Sequence, residues 1–519
     1  MKRLCLTCFL CMMTVWMMTA AVPAYTNPIL PYDYSDPDVC RVGDTYLMTS
    51  SSFNNVPGLQ ILASNDLVHW QIVDAAIRDQ VPGYESGFQP LGNYVWAPSI
   101  REHDGRLYIY YGDPDRGIYC IRSKPCPSSP LSPSPYGESW GEVLWEQPVL
   151  VIPAKGYIDP CPLWDEDGRV WLVHALAGSR AGLKSVLMMA ELNTDGLSVK
   201  TPSRIIFDGH AEHPTCEGPK LYKRNGYYYI MHPAGGVSTG WQVVQRSRNI
   251  YGPYELKITL AQGHTAINGP HQGAWVETPE GGHWFIHFQD VGAAGRIVHL
   301  QPVQWVNDWP VMGRHGEPVI GIGHPAKGEC TWANFLRRDE FDSTQLAPDW
   351  QWPGGYISPK WFFCDADHSM LRLFSAPRDE NDFMPNMLLQ KIPATAFTAT
   401  ARVRFMLNTH KKMAGAEQAG MIVFGRQSFR VEVPGPGQWY YLRLVMDKNQ
   451  QGRFYTQKDD GQTDIDACPW TESGEPFRAV EGQWTGAQVG LFCTRDSRKH
   501  NDAGWLDIDW FAIEGNSGK

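Results

Sequence analysis

Apolar residues along this chain come in short runs, often alternating with polar ones, and the runs are broken by Asn-Gly, Asp-Gly and Gly-Gly pairs. That is the pattern of strands joined by tight turns. It is clearest from Glu217 to Met231. A carboxylate opens the stretch, Gly218-Pro219 follows, then a short apolar run, Asn225-Gly226, and the run Tyr227-Tyr228-Tyr229-Ile230-Met231. Asn-Gly between two apolar runs is a strong hairpin signal, so Glu217 is predicted at the mouth of the hairpin's first strand.

The same design occurs four more times. Asp36-Pro37-Asp38-Val39 leads through Gly43-Asp44 into Thr45–Met48, and Ala97-Pro98-Ser99-Ile100 leads through Asp104-Gly105 into Leu107–Tyr111. Asp159-Pro160 leads through Asp167-Gly168 into Val170–Val173, and His271–Val276 leads through Gly281-Gly282 into Trp284–Phe288. The opening positions 36, 97, 159, 217 and 271 lie 61, 62, 58 and 54 residues apart. A strand-rich unit repeated at a near-constant period predicts a β-propeller, and five copies predict five blades over residues 25–325. The innermost strand of each blade lines the central channel, so Asp36, Ala97, Asp159, Glu217 and His271 are expected to converge on one axis, at equivalent positions. A lone Asp-Pro is a common turn opener. Three acids in register at one pole of a ring repel each other, which points to function.

Further strand signals, such as Leu59–Leu62 and Val186–Ala190, supply outer strands. Gly295–Trp305 reads as a late strand closing on Trp309-Pro310, and the Pro/Ser-rich stretch Pro125–Pro135 reads as a surface loop. The repeat stops near Gly321–Lys327. Beyond it, Thr398–Phe405, Gly420–Phe424, Tyr440–Val445, Val489–Phe492 and Leu506–Phe511 alternate without helical periodicity. These predict a β-sandwich over residues 330–519, so the fold class is all-β in two domains.

Residues 1–24 have the make-up of a cleaved secretory signal: Lys2 and Arg3, the apolar run Leu4–Met18, then small residues through Ala24. A secreted or periplasmic location is expected, with no membrane span. Of 12 cysteines, Cys5, Cys8 and Cys11 fall in the leader; the rest are scattered and form no disulfide framework, although Cys120 and Cys126 are close enough to pair. The net charge of −10 and the lack of a basic stripe argue against nucleic-acid partners.

Cleavage of a glycosidic bond needs two carboxyl groups, one to donate a proton and one to activate water or attack. A third acid nearby holds the donor's proton by like-charge repulsion. Asp36, Asp159 and Glu217 supply that inventory. No Gly-x-Ser-x-Gly elbow and no His-Glu-x-x-His helix is present.

Several motifs carry a resemblance: Asn27-Pro28-Ile29-Leu30 before Ser35-Asp36-Pro37-Asp38, Thr49–Phe53 with Pro57-Gly58, Asp66–Trp70, Trp96-Ala97-Pro98, Ile158-Asp159-Pro160 and Glu217-Gly218-Pro219. In this order they resemble glycoside hydrolase family 43. Asp349–Trp352 and Val489–Phe492 resemble the concanavalin-A-like domain of its β-xylosidase and α-L-arabinofuranosidase branch. The resemblance implies an inverting, exo-acting enzyme that releases arabinofuranose or xylose from hemicellulose oligosaccharides. It implies Asp36 as general base, Glu217 as general acid and Asp159 as the residue that tunes Glu217. Phe53, Trp96 and Ala97 match positions lining the terminal-sugar pocket, and Arg296 matches an arginine contacting sugar hydroxyls and the acids. His271 is implied either as a water-mediated calcium ligand or as a support of the site, and a core histidine bonded to its neighbours remains open. No cofactor is implied as required; the calcium, where bound, is structural. Pro233–Val237 departs from typical β-xylosidases after the acid, which leaves the leaving-group subsite open. The resemblance further implies that the sandwich packs on the propeller and lends a loop to the pocket; a pocket for one terminal sugar must be closed at one end, and Trp350–Trp352 or Trp361–Phe363 are candidate walls, with core packing the favoured use of each. A non-catalytic carbohydrate-binding protein on the same scaffold is the alternative.

Overall fold

The computed structural model describes residues 25–84, 91–125, 143–321, 338–379, 383–408, 417–461, 465–466, 468–496 and 502–515. The leader, Cys126, most of the Pro/Ser-rich stretch and the segment joining the two domains lie outside the described residues.

Five four-stranded antiparallel sheets follow one another along the chain. Their first strands are Asp38–Val42, Trp96–His103, Tyr157–Trp164, Lys220–Arg224 and His271–Glu277, and these touch one another around the axis. Each blade is a meander whose strands pair in chain order, mostly across short hairpin connections; in the second blade 26 residues separate Gly117–Arg122 from Val149–Pro153. At the fourth blade Arg224 pairs with Tyr227 across Asn225-Gly226, both at positive φ, as the Asn-Gly signal requires.

Sequence alternation explains how the blades stack. In the strand Arg106–Asp113, Leu107, Ile109 and Tyr111 join the apolar cluster shared with the first blade, while Tyr108 and Tyr110 join the cluster shared with the third. Similar clusters fill the other three blade–blade interfaces. Both faces of a blade are buried, so its strands read as continuous apolar runs. Each fully buried aliphatic or aromatic side chain contributes about 1.5–3 kcal/mol.

The ring is closed by the segment before the first blade. Ile29 N–H donates to Val298 O at 2.9 Å, Val298 N–H returns a bond to Leu30 O at 3.0 Å, and Tyr34 N–H donates to Arg296 O at 3.0 Å. The strand Arg296–Val306 is the late strand of the ring that its sequence suggests. Asn307 and Asp308, both at positive φ, turn it into a fourth strand, Trp309–Met312.

The opening residues are not all equivalent, contrary to the sequence pattern. The backbone takes positive φ at Asp36, Ala97 and Asp159, but at Gly218 and Gln272 in the last two blades. The kink therefore falls on the residue before Pro37, Pro98, Pro160, Pro219 and Gly273. Glu217 and His271 each sit one residue earlier. Register shifts at Trp96/Ser99, Val173/Ala175 and His271/Gly273 mark the same places, where a bulge re-aims a side chain.

The second domain is a β-sandwich. One sheet is ordered by the strands Phe362–Asp365, Met370–Phe374, Trp505–Gly515, Phe397–Met406, Trp439–Met446, Gln451–Lys458 and Thr471–Arg478, and the facing sheet is centred on Gln488–Arg495 and Glu417–Phe424. Its core takes in Trp350 and Trp352, so these aromatics fill the domain rather than wall a pocket; Trp361 lies in a short turn of 3-10 helix outside that core. The domains are joined by backbone pairing: Val56 and Trp352 exchange N–H···O bonds of 2.9 and 2.7 Å, and Ala487 N–H donates to Ala293 O at 2.7 Å.

Candidate active site

The propeller brings the residues singled out from the sequence to one end of its channel. Asp36 is buried at the entry to the first strand. Ser51 Oγ donates to its Oδ2 at 2.5 Å, and Arg296 Nη1 lies 3.4 Å from its Oδ1. The same Ser51 oxygen accepts the Ala97 N–H at 2.7 Å, which ties the first two blades together beneath the site. Asp159 is buried in the third blade, and its Oδ2 accepts the Gly218 N–H at 2.8 Å. It thereby holds the backbone immediately after Glu217.

Glu217 differs from both. Its side chain is 28% exposed, open to the pocket, with His271 Nε2 at 3.5 Å from Oε1. Among the described residues no N–H or O–H donates to it at hydrogen-bond distance.

This asymmetry sets the protons. Burial raises all three carboxyls above the usual range. Asp36 is drawn back by the Arg296 guanidinium, the Ser51 hydroxyl and Lys220. Asp159 and Glu217 titrate as a pair. Burial and the Asp36 charge raise Asp159, against the Gly218 N–H, Lys220 and Arg296, whereas Glu217 is raised by burial and then by the charges of Asp159 and Asp36, against Arg296 and Lys184 and with no hydrogen bond among the described residues. The shared proton therefore rests on Glu217. A charged acceptor at Asp36 and a protonated donor at Glu217 form an acid–base couple.

The remaining predicted residues surround the couple. Arg296 lays its guanidinium 4.9 Å from the Phe288 ring centroid, and its backbone N–H donates to Asp33 Oδ1 at 2.8 Å. Phe53 and Trp96 meet edge to face at 6.4 Å, and Trp96 Nε1 donates to Gly92 O at 2.8 Å. Ala97 is buried at its kink.

Residues 25–310 match the family model of glycosyl hydrolases family 43, and residues 338–431 and 425–514 match that of the β-xylosidase C-terminal concanavalin A-like domain. The chain belongs to glycoside hydrolase family 43. A Xylanibacter ruminicola protein provisionally named a β-xylosidase is 34% identical over 488 residues, 91% of this chain and 86% of its own length. The non-reducing end α-L-arabinofuranosidase BoGH43B of Bacteroides ovatus is 27% identical over 557 residues, 98% and 99% of the two chains. The crystal structure of the GH43 BlXynB protein from Bacillus licheniformis superimposes with a TM-score of 0.77 at 23% identity, covering 95% and 99%, a likeness of fold. The chain is thus a glycoside hydrolase, of a family that needs no cofactor in general.

For the calcium implied at His271, the donors are few. The imidazole is fully buried against Phe288, and neither ring nitrogen has a hydrogen-bond partner among the described residues. Burial and Arg296 push its pKa down to about 3, so it is neutral. It is not the histidine bonded to its neighbours that the sequence left open. No cluster of three or more His, Cys, Asp or Glu side chains able to hold a metal occurs among the described residues. His271 offers an oxygen-seeking ion one nitrogen, with Glu217 Oε1 3.5 Å from it, so a calcium here would be held mostly through waters.

Two features of this family 43 site escaped the sequence. The first is Trp484, on the sandwich loop Gly482–Gly486. It is 44% exposed, at φ 66°, and meets Trp96 edge to face at 6.1 Å. An aromatic between two glycines was its only signal. The second is Asp33, whose carboxylate accepts the Arg296 N–H at 2.8 Å and the Gly486 N–H at 2.9 Å. It joins the propeller's start, its last blade and the sandwich loop at one point.

Proposed function

We propose that this glycoside hydrolase is exo-acting and inverting, and that it releases terminal arabinofuranose or xylose from hemicellulose-derived oligosaccharides. Asp36 is the general base, Glu217 the general acid and Asp159 the residue that keeps the proton on Glu217. The observation that carries this is the unequal hydrogen bonding of three clustered carboxyls: Asp36 accepts a bond of 2.5 Å and Asp159 one of 2.8 Å, and Glu217 accepts none among the described residues. In the reaction a water attacks the anomeric carbon and gives its proton to Asp36, while Glu217 protonates the departing oxygen and configuration inverts.

Phe53, Trp96 and Ala97 line the terminal sugar, and Arg296 reaches its hydroxyls and Asp36. Trp484 closes one side, which supports exo action, because a pocket for one terminal residue must be blocked where a bare propeller face is open. The relatives named as β-xylosidase and α-L-arabinofuranosidase support a pentose at the non-reducing end. Nothing in the site favours a binding protein without catalysis. The Lys2-Arg3 start and the apolar run up to Met18 support export, to the periplasm or beyond, after cleavage of the leader.

Aryl α-L-arabinofuranoside and aryl β-xyloside, assayed side by side with Asp36→Asn as control, test this reading. Release of free pentose with inverted configuration from one or both is expected, with loss of about 10²–10⁴-fold in the variant. Failure on both substrates, or near-wild-type turnover of Asp36→Asn, overturns it.

A further inference from the structure

Next to the three carboxyls the channel is plugged by buried charge. Lys220 is only 2% exposed, yet its Nζ donates to two neutral acceptors, Pro98 O at 2.7 Å and Ser99 Oγ at 2.8 Å. Its nearest anion is Asp38 Oδ1 at 3.7 Å, and that oxygen has no hydrogen-bond partner. The other oxygen of Asp38 is already occupied, by Ile100 N–H at 2.6 Å and Arg101 Nη1 at 2.5 Å. Arg101 also donates to Cys161 Sγ at 3.0 Å and lies over the Tyr222 ring at 5.3 Å. Two cations therefore share one carboxylate, and the plug holds one more positive charge than negative. A buried charge without a counter-charge costs several kcal/mol, so the excess calls for anions close by.

The chain supplies them. Asp38 is two residues past Asp36, Cys161 is two past Asp159, and Lys220 is three past Glu217, so plug and acid set are successive layers of the same inner strands. The charged and titratable groups around Lys220 are Asp38 of the first blade, Arg101 of the second, Cys161 of the third and Tyr222 of its own, with Asp36, Asp159 and Arg296 above.

We propose that Lys220 is a positioning residue of the reaction, whose ammonium, buried on Pro98 O and Ser99 Oγ one layer from the acids and sharing Asp38 with Arg101, supplies the positive field in which the three carboxyls work. The charge of Lys220 lowers both aspartates, and it is not among the main influences on Glu217. The plug thus separates the acid from the base electrostatically. This rests on the roles proposed for the three acids.

The test is the pH dependence of kcat/KM on an aryl pentoside for Lys220→Met, Lys220→Gln and Asp38→Asn, with folding checked by melting. Loss of the lysine charge should move the acidic limb up by about one pH unit, with a far smaller change on the alkaline limb. Lys220→Gln keeps a donor for Pro98 and Ser99, so it should behave like Lys220→Met if charge matters. Asp38→Asn adds net positive charge to the plug, so its acidic limb should move down. An unmoved acidic limb in the folded variants, or a wild-type profile in Lys220→Gln alone, overturns the inference. Should Asp36→Asn remain active, the assignment of the base fails instead.

Discussion

Asp159→Asn puts the proton on Glu217 to a direct test. The substitution removes one negative charge and little else, because the amide oxygen can still accept the Gly218 N–H now held at 2.8 Å. That charge is the largest influence raising Glu217 after burial. A like charge at such range moves a carboxyl by roughly 1–3 pH units. Glu217 remains 28% open to the pocket, so screening places the effect at the low end, about one unit. The direction follows from the charge: a lost neighbour of the same sign makes Glu217 easier to ionise. The general acid is then lost at lower pH, and the alkaline limb of kcat/KM moves down by about one unit. Above that limb activity falls about tenfold, since one unit corresponds to 1.36 kcal/mol, while activity on the acidic side holds. The assay is a pH series on a xyloside or arabinofuranoside with a poor leaving group, with Asp159→Ala beside it to remove charge and hydrogen bond together. An alkaline limb that stays in place in a folded Asp159→Asn enzyme would mean that the proton sits on Asp159, and the tuning argument would fall.

Glu217→Gln should lose far more on natural oligosaccharides than on activated aryl substrates, whose leaving group needs little protonation; equal losses would remove it as the acid. Trp484→Ala should raise KM by about three- to tenfold, from an aromatic contact of about 1 kcal/mol, and leave the melting temperature nearly unchanged because the ring is 44% exposed; an unaltered KM would place the indole outside the pocket. Truncation before Arg338 should give an insoluble or inactive propeller, and calorimetry of the full chain should show one transition. The cut removes the Gly486 N–H from Asp33, the Trp352 pairing from Val56 and the Gln351 amide from Pro57 O. A soluble truncate with unchanged kcat and KM would reduce the sandwich to an accessory module.

The five blades were legible because each is a local event. Asn225-Gly226 and Asp104-Gly105 turn the chain where they stand, and a period near 60 needs no knowledge of distant contacts. The acids were legible for the same reason, since each opens its own blade. Their exact register was not. The kink falls on the residue before Pro219, as it does before Pro37, Pro98 and Pro160, so Gly218 takes it and Glu217 sits one position earlier. Trp484 lies 388 residues from Trp96, and a contact that distant leaves no periodic trace. Lys220 was in view throughout, inside the stretch that reveals the hairpin. Its neighbours are the carbonyl of Pro98 and the hydroxyl of Ser99, more than a hundred residues away, so the sequence shows a strand residue and hides a buried charge.

The staple at Asp33 gives this enzyme an order of events during its synthesis. Asp36 is among the first functional residues to leave the ribosome, but its guanidinium partner follows 260 residues later, and Asp33 beside it waits 453 residues for the Gly486 N–H. The nascent chain therefore carries a base without its surroundings until the last blade and the sandwich loop exist. A chain released early, or clipped ahead of that loop, keeps the acids but lacks the Gly486 N–H that Asp33 accepts.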